Sequence, residues 1–244
     1  MRILCPFLLG IAAVAAAQGD PAELLNRAIE RHYALRQYRV EVRTGTVSGD
    51  RLQPSHRVRI TVDEEARAFR SESLSGDWAE VVSDGEWLWV GTRRRVSEHP
   101  AEGPALRSWR RGIDATSGRF ALMGRSALEA EWVKREEVRR GKRRIECGVI
   151  RIRPSDPVQG IWTEMLWVEM ATGLIWRSVR IERETPGQTG MMGPGQVRGG
   201  VARGAPMASE DRVRTQDFDW LHTEGDLPPE TFSKPAWASR ATNR

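Results

Sequence analysis

Histidines, cysteines and hydroxyl groups are the side chains with which metal binding or nucleophilic catalysis would begin in this 244-residue chain. The four histidines stand far apart and share no metal-ligand spacing: His32, His56, His99 and His222. The chain has no Gly-x-Ser-x-Gly elbow and no Ser-x-x-Lys pair. These patterns favour a protein that is not an enzyme and that uses no metal and no cofactor.

Neighbouring carboxylates are the remaining catalytic candidates. Asp63, Glu64 and Glu65 fall in a predicted turn, and Asp217 and Asp219 alternate along a predicted strand. Carboxylates at such places are usually solvated or paired with arginine, and arginine is abundant here. We therefore expect them to be structural. A site assembled from distant residues, as in an unrecognised hydrolase, would need titratable groups clustered in a pocket.

The first seventeen residues are typical of a cleavable secretory signal. Arg2 precedes an apolar run that begins at Ile3, and the small residues Ala15 and Ala17 lie near the expected cleavage point. The run is shorter than the roughly 20 residues of a transmembrane helix. We expect a periplasmic protein that is cleaved near Ala17, with one domain over residues 18–244.

Charge and cysteine content of that mature part limit its partners. Loss of Arg2 leaves 37 basic and 33 acidic residues (38 − 1 = 37), a formal charge of +4 that is spread along the chain. We expect no nucleic-acid partner and at most peripheral contact with anionic membranes. Loss of Cys5 leaves Cys147 alone, so no intramolecular disulfide can form, and Cys147 is predicted to be a buried apolar residue.

Helical spacing marks two parts of the mature chain. Asp20 and Pro21 form a good start for an amphipathic helix over about 21–36. A looser apolar period from Leu106 to Ala130 predicts one or two short helices. The Gly-, Pro- and Met-rich segment 184–211 has no apolar period and is predicted to be a mobile loop.

The rest of the mature chain alternates apolar and polar residues with a period of two. This pattern predicts an antiparallel sheet that is covered on one face. The predicted strands lie near residues 38–43, 57–62, 66–73, 79–83, 86–91, 93–98, 131–139, 143–152, 161–169, 174–183 and 212–221.

Tryptophan is the unusual feature of these strands, with ten in the chain against two tyrosines. Each one alone is best explained as core. Together, on a one-layer sheet, they need a thick helical cover or a bound apolar ligand. Helices that shift on a curved sheet would open a groove for an acyl chain. Strand parity selects these candidate lining residues: Trp87, Trp89, Met165, Trp167, Val179, Ile181, Phe218 and Trp220.

Four stretches carry a family resemblance. They are Leu24 to Val42, Val82 to Val90 with its Asp-Gly turn before Trp87, the hairpin from Leu166 to Ile175, and Leu227 to Phe232. They resemble the LolA/LolB-type lipoprotein carriers and the wider superfamily of lipoprotein-sorting proteins. The resemblance implies an α+β, mainly antiparallel fold: a curved, unclosed half β-barrel whose N-terminal helix and short helices cover the concave face. It also implies a hydrophobic cavity for acyl chains.

Two functions remain open on these grounds. The first is a carrier-like protein of the cell envelope that binds a lipid or an acylated lipoprotein during outer-membrane biogenesis. The alternative is an envelope interaction or sensory module that binds a protein partner through the same half-barrel. A deep concave pocket favours the first, and a filled barrel with an exposed apolar patch favours the second.

Overall fold

The structure, a computed structural model, describes residues 19–48, 51–75, 79–93, 95–118, 128–155, 162–182 and 212–239. The predicted export signal, the predicted loop at 184–211 and most of the segment 119–130 lie outside these ranges. Among the described residues, no helix combines the length and the apolar character needed to cross a membrane.

Eleven antiparallel strands form one open sheet. They are β1 (Gln37–Ser48), β2 (Arg51–Asp63), β3 (Ala68–Ser73), β4 (Ala79–Ser83), β5 (Trp87–Thr92), β6 (Val96–Pro100), β7 (Leu128–Arg140), β8 (Arg143–Pro154), β9 (Trp162–Glu169), β10 (Ile175–Glu182) and β11 (Arg212–His222). Their order is β6-β5-β4-β3-β2-β1-β11-β10-β9-β8-β7, so β6 and β7 remain as unpaired edges. The predicted unclosed half-barrel is confirmed.

The last strand joins the two halves of this sheet. β1 to β6 follow one another as neighbours, and so do β7 to β10, while β11 pairs with both β1 and β10. Val42 lies opposite Phe218, and Val40 opposite Trp220. These four side chains are buried and share the face that the helices cover, which we call the inner face. The opposite face is the outer face.

Helix α1 (Pro21–Ala34) closes one part of the inner face, as its apolar period predicts. The Asp20 side chain accepts a hydrogen bond from the amide of Ala22 and thereby caps the helix. Leu24, Leu25 and Ala28 are buried, and the helix packs against β7, β8 and β9. The sheet has room for it at Gly148, where an added Cβ would lie 2.5 Å from a methyl carbon of Leu24.

Helix α2 (Gly103–Thr116) covers the inner face beside the other half of the sheet. It is shorter than the predicted helical segment, which extended to Ala130. That extension was wrong at its end, because β7 begins at Leu128. Alternate residues of β7 pair with β8 there, and this pairing outweighs the local helical period.

The C-terminal tail covers part of the outer face. A 3₁₀ helix (Pro229–Phe232) and the short helix α3 (Ala236–Ser239) follow β11. Phe232 packs with Ala68. Trp237 and Ala238 pack against Trp89. The outer face is therefore apolar wherever the tail lies on it, which a sheet with a single cover would not allow.

Gly85 and Gly141 both lie in hairpin turns, but they differ in how closely another part of the backbone approaches them. Gly85 has φ +98°, and a Cβ there would lie 2.3 Å from the backbone oxygen of Ala66. Gly141 has φ +56° but nothing within 4 Å. We expect Gly141→Ala to lower the free energy of unfolding by about 1–2 kcal/mol through backbone strain alone. Gly85→Ala should lower it by about 3 kcal/mol or more, because overpacking adds to the strain.

Denaturant unfolding followed by tryptophan fluorescence measures both changes. Equal losses for the two variants would contradict the close approach at Gly85.

Candidate ligand cavity under helix α2

The eight residues selected by strand parity do not share one face of the sheet. Phe218 and Trp220 lie on the inner face, where Trp220 contacts His32 of α1 with ring centroids 5.3 Å apart. The other six lie on the outer face, because each alternates with an inward residue such as Leu88 or Leu166. They are Trp87, Trp89, Met165, Trp167, Val179 and Ile181. The eight residues therefore cannot line one common cavity.

The six residues on the outer face differ in whether another part of the chain covers them. Trp87 is 42% exposed, whereas Trp89 is buried under the C-terminal tail. Trp167 is buried, and its indole N–H donates to Glu136 Oε2 at 3.1 Å. The tip of the β7–β8 hairpin curls over this part of the outer face, because Arg140 donates to Asp217 Oδ1 at 2.7 Å.

Strand parity failed at β9 and β10 for a visible reason. The inward residues there include the polar Glu164 and Ser178, both buried, and Arg180, which lies over the Trp162 ring at 4.6 Å. The candidates on these two strands occupy the outward positions, where Trp167 is buried and the other three are half-buried. At β5 both parities are apolar, so alternation alone could not choose between them.

The two inward candidates are packed core residues. A Cβ on Gly118, just after α2, would lie 3.0 Å from the ring of Phe218. The indole N–H of Trp220 donates to the backbone oxygen of Ile175 at 2.8 Å. Neither side chain faces open space, since both are almost fully buried. Their contacts hold the helices on the sheet.

A cavity lies between α2 and the inner face of the sheet. Its volume is about 590 Å³, within the range of small-molecule pockets. Val58 and Ile60 of β2 form an apolar wall, and Ile113 of α2 faces them. Gly112 leaves space in the cavity, because a Cβ there would meet nothing within 4 Å.

Polar groups stand around the mouth of this cavity. His56 and Arg214 line it and are exposed, and Thr44 and Gln216 lie between them and the interior. Trp109 of α2, 40% exposed, borders both this cavity and a second one of about 260 Å³ against β5 and β6. An apolar interior with a polar rim is suited to an amphiphile.

The elements that form this cavity were predictable from the sequence, but the cavity itself was not. Trp109 and Ile113 were part of the helical period, and Val58 and Ile60 were part of the strand alternation. The space between them depends on how far the helix stands from the sheet. The periodicity of apolar residues does not predict the distance between the helix and the sheet.

The outer face opposite the cavity carries ion pairs instead. Glu41 accepts hydrogen bonds from Arg59 at 2.6 Å and from Arg57 at 2.5 Å. Asp217 accepts from Arg140 and Arg177, both at 2.7 Å. The expectation that carboxylates such as Asp217 pair with arginine is confirmed.

These pairs set the protonation of the two carboxylates. Burial raises the pKa of Glu41, but the hydrogen bonds from Arg59 and Arg57 lower it by more, so it lies below its usual value. Burial also raises the pKa of Asp217, and the hydrogen bonds from Arg177 and Arg140 again prevail and lower it. Burial, together with the charge of Glu169, raises the pKa of the Cys147 thiol to about 12, as is typical of an inert core cysteine.

A pH dependence of stability follows from these two carboxylates. Because their folded-state pKa values lie below the unfolded ones, their stabilisation is present above the unfolded values near pH 4 and is lost as the pH falls through the folded ones. We expect Asp217→Asn to be less stable than wild type at neutral pH, with a difference that shrinks as the pH falls below about 4. Thermal unfolding at several pH values measures this, and a difference independent of pH would contradict it.

The chain was compared with known proteins. No family model and no curated protein matches it. Among solved structures, a LolA-superfamily protein of Nitrosomonas europaea has a TM-score of 0.34 and 14% identity, with 88% of this chain and 98% of that chain covered. Lipoprotein LppX of Mycobacterium tuberculosis has a TM-score of 0.45 and 13% identity, with 84% and 100% covered.

A third similar structure is the MucA/MucB complex of Pseudomonas aeruginosa, with a TM-score of 0.44 and 16% identity. The match covers 89% of this chain and 62% of that one. The class of fold itself is defined by the chain's own sheet: an open antiparallel half-barrel with helices over its inner face.

Proposed function

We propose that this protein binds a lipid, or the acylated end of a lipoprotein, in the cavity under α2 and acts as a carrier-like protein of the cell envelope. The observation that carries the proposal is the 590 Å³ cavity between α2 and the inner face, apolar inside and polar at its mouth. A concave pocket with an apolar wall supports a carrier over a protein-binding module.

The driving force for such binding is burial of the acyl chain. Each methylene that leaves water contributes about 0.8 kcal/mol. A chain of about a dozen methylenes would gain on the order of 10 kcal/mol before the entropic cost of binding is subtracted. Val58, Ile60 and Ile113 supply the apolar surface for this, and no catalytic group is required.

The way α2 is attached supports entry of a ligand. Its C-terminal end is held by buried Ile113 and by Ser117, whose Oγ lies 3.5 Å from the hydroxyl of Tyr38. Gln216 donates to the backbone oxygen of Thr116 at 3.5 Å. Its N-terminal half is more exposed. A tilt about the C-terminal end would widen the cavity and would have to release the contact of Leu106 with the core.

Co-purification is the direct test. Native mass spectrometry of the protein recovered from the periplasm should show bound lipid, and an environment-sensitive fatty-acid probe should bind the delipidated protein. A protein that carries no lipid and does not bind the probe would rule the proposal out. In that case binding of an envelope protein partner becomes the better explanation of the half-barrel.

Filling the cavity gives a sharper test. Gly112→Leu should place a side chain in the open space and weaken binding of the fatty-acid probe by roughly tenfold, the effect of excluding about two methylenes. Leucine is also a better helix former than glycine, so stability should be kept. The matched control is Ser108→Leu, which adds the same side chain to α2 at an exposed position outside the cavity.

Titration of the fatty-acid probe against the two variants and the wild type measures the three affinities. Equal affinities for Gly112→Leu and Ser108→Leu would place the ligand elsewhere.

Export belongs to the same proposal. We infer that residues 1–17 are removed and that residues 18–244 form the working domain in the periplasm. N-terminal sequencing of the secreted protein should begin at or near Gln18. A mature protein that retains Arg2 would contradict a cleaved signal.

A further inference from the structure

We propose that a third pocket, on the opposite side of α2 from the 590 Å³ cavity, binds the phosphate-bearing head groups of anionic lipids and docks the protein on a membrane surface. This arginine pocket has a volume of about 440 Å³. It is defined by Arg67, Phe69, Leu106, Arg107, Arg110 and Arg111. It is separate from the cavity described above, and its occupant would be part of a bilayer, not a carried ligand.

Helix α2 has two different faces, and the pocket uses the basic one. Arg107, Arg110 and Arg111 line the arginine pocket. Trp109 and Gly112 line the 590 Å³ cavity that is proposed to hold an acyl chain, here called the acyl cavity. Helical geometry places residues three and four apart on one side, so both faces follow from one short sequence. The helix is thus a wall shared by two pockets of different chemistry.

Charge within the arginine pocket is not balanced. Its two carboxylates, Glu64 and Asp114, both pair with Arg110, Asp114 at 3.4 Å. Arg67, Arg107 and Arg111 are exposed and form no ion pair with any other described residue. Three arginines at one opening attract an anion, and their planar guanidinium groups suit the oxygens of a phosphate.

The backbone at Arg67 gives independent support. Arg67 has φ +53°, and it is the one non-glycine residue with positive φ in the described part of the chain. Glycine or asparagine would fit this turn with less strain. Backbone strain is often kept at binding sites, so the strain at Arg67 supports a binding role for its side chain.

The uncharged surroundings favour a lipid over a free ion. Phe69 and the partly buried Leu106 give the pocket an apolar floor. Trp109 is exposed beside it on the same helix. Tryptophan with arginine on one surface helix is typical of proteins that lie in the head-group region.

Vesicle binding tests the proposal without reference to the acyl cavity. The protein, purified after export, is sedimented with vesicles of phosphatidylcholine alone and with vesicles of equal parts phosphatidylcholine and phosphatidylglycerol. We expect binding only to the anionic vesicles, with weakening as salt is raised. Arg107→Gln with Arg111→Gln should weaken it roughly 25-fold, about fivefold for each arginine.

Two further variants separate the site from general charge and from folding. Arg143→Gln with Arg144→Gln makes the same charge change at the start of β8, on exposed residues away from α2, and should bind as wild type does. Arg67→Gly should weaken vesicle binding about fivefold while its thermal stability equals or exceeds that of wild type.

Three results would overturn the proposal. One is failure of the wild type to bind anionic vesicles, and another is an equal loss in the two double variants. The third is full displacement from the vesicles by inorganic phosphate at the concentration of the head groups, which would make this a small-anion site. Gly112→Leu should bind vesicles normally, so failure of the acyl cavity and failure of membrane docking give different results.

Discussion

The pairing of β11 with both β1 and β10 is the constraint on which the rest of the structure depends. It turns two meanders into one curved sheet and places Phe218 and Trp220 opposite Val42 and Val40. The apolar seam so formed receives both helices: Trp220 contacts His32 of α1, and Phe218 contacts the turn that ends α2. The seam therefore contacts the C-terminal end of each helix. The cavity exists because α2 is held at its C-terminal end and stands away from β2.

The two faces of the sheet differ in what covers them and in the chemistry that they expose. The outer face is apolar where the C-terminal tail or the β7–β8 tip covers it, and elsewhere it carries arginine–carboxylate pairs. Such pairs at partly exposed positions contribute little each, but they satisfy charge on a long surface. The inner face is left free to combine a packed seam, a cavity and a helix that presents a second, basic side. The proposed carrier and docking roles use the two sides of that one helix.

Much of the architecture could be predicted from local pattern. Helix α1 with its Asp20 cap, the positions of the strands and the open half-barrel all follow from periodicity, turn residues and the family resemblance. The candidate site followed less well. Strand parity identifies the buried side of a strand only when one side is polar and the other apolar. Both sides of β5 are apolar, and β9 and β10 place the polar residues Glu164 and Ser178 on the inner face. Covers contributed by residues far along the chain, Arg140 and Trp237, decided which side was buried.

Three features are properties of the sequence alone, because they depend on neighbours and counts. They are the pattern typical of an export signal, the count of two cysteines and the absence of metal-ligand spacing among the histidines. The amphipathic character of α1 is a property of the sequence as well. Only the tertiary structure decided that Trp89 and Trp167 are buried outward and that Trp109 stands exposed between two pockets. It also decided that Arg67, Arg107 and Arg111, which form no ion pair with a described residue, meet at one opening. A cavity is the space left between elements whose separation is set by contacts distant in sequence, and no local pattern records that separation.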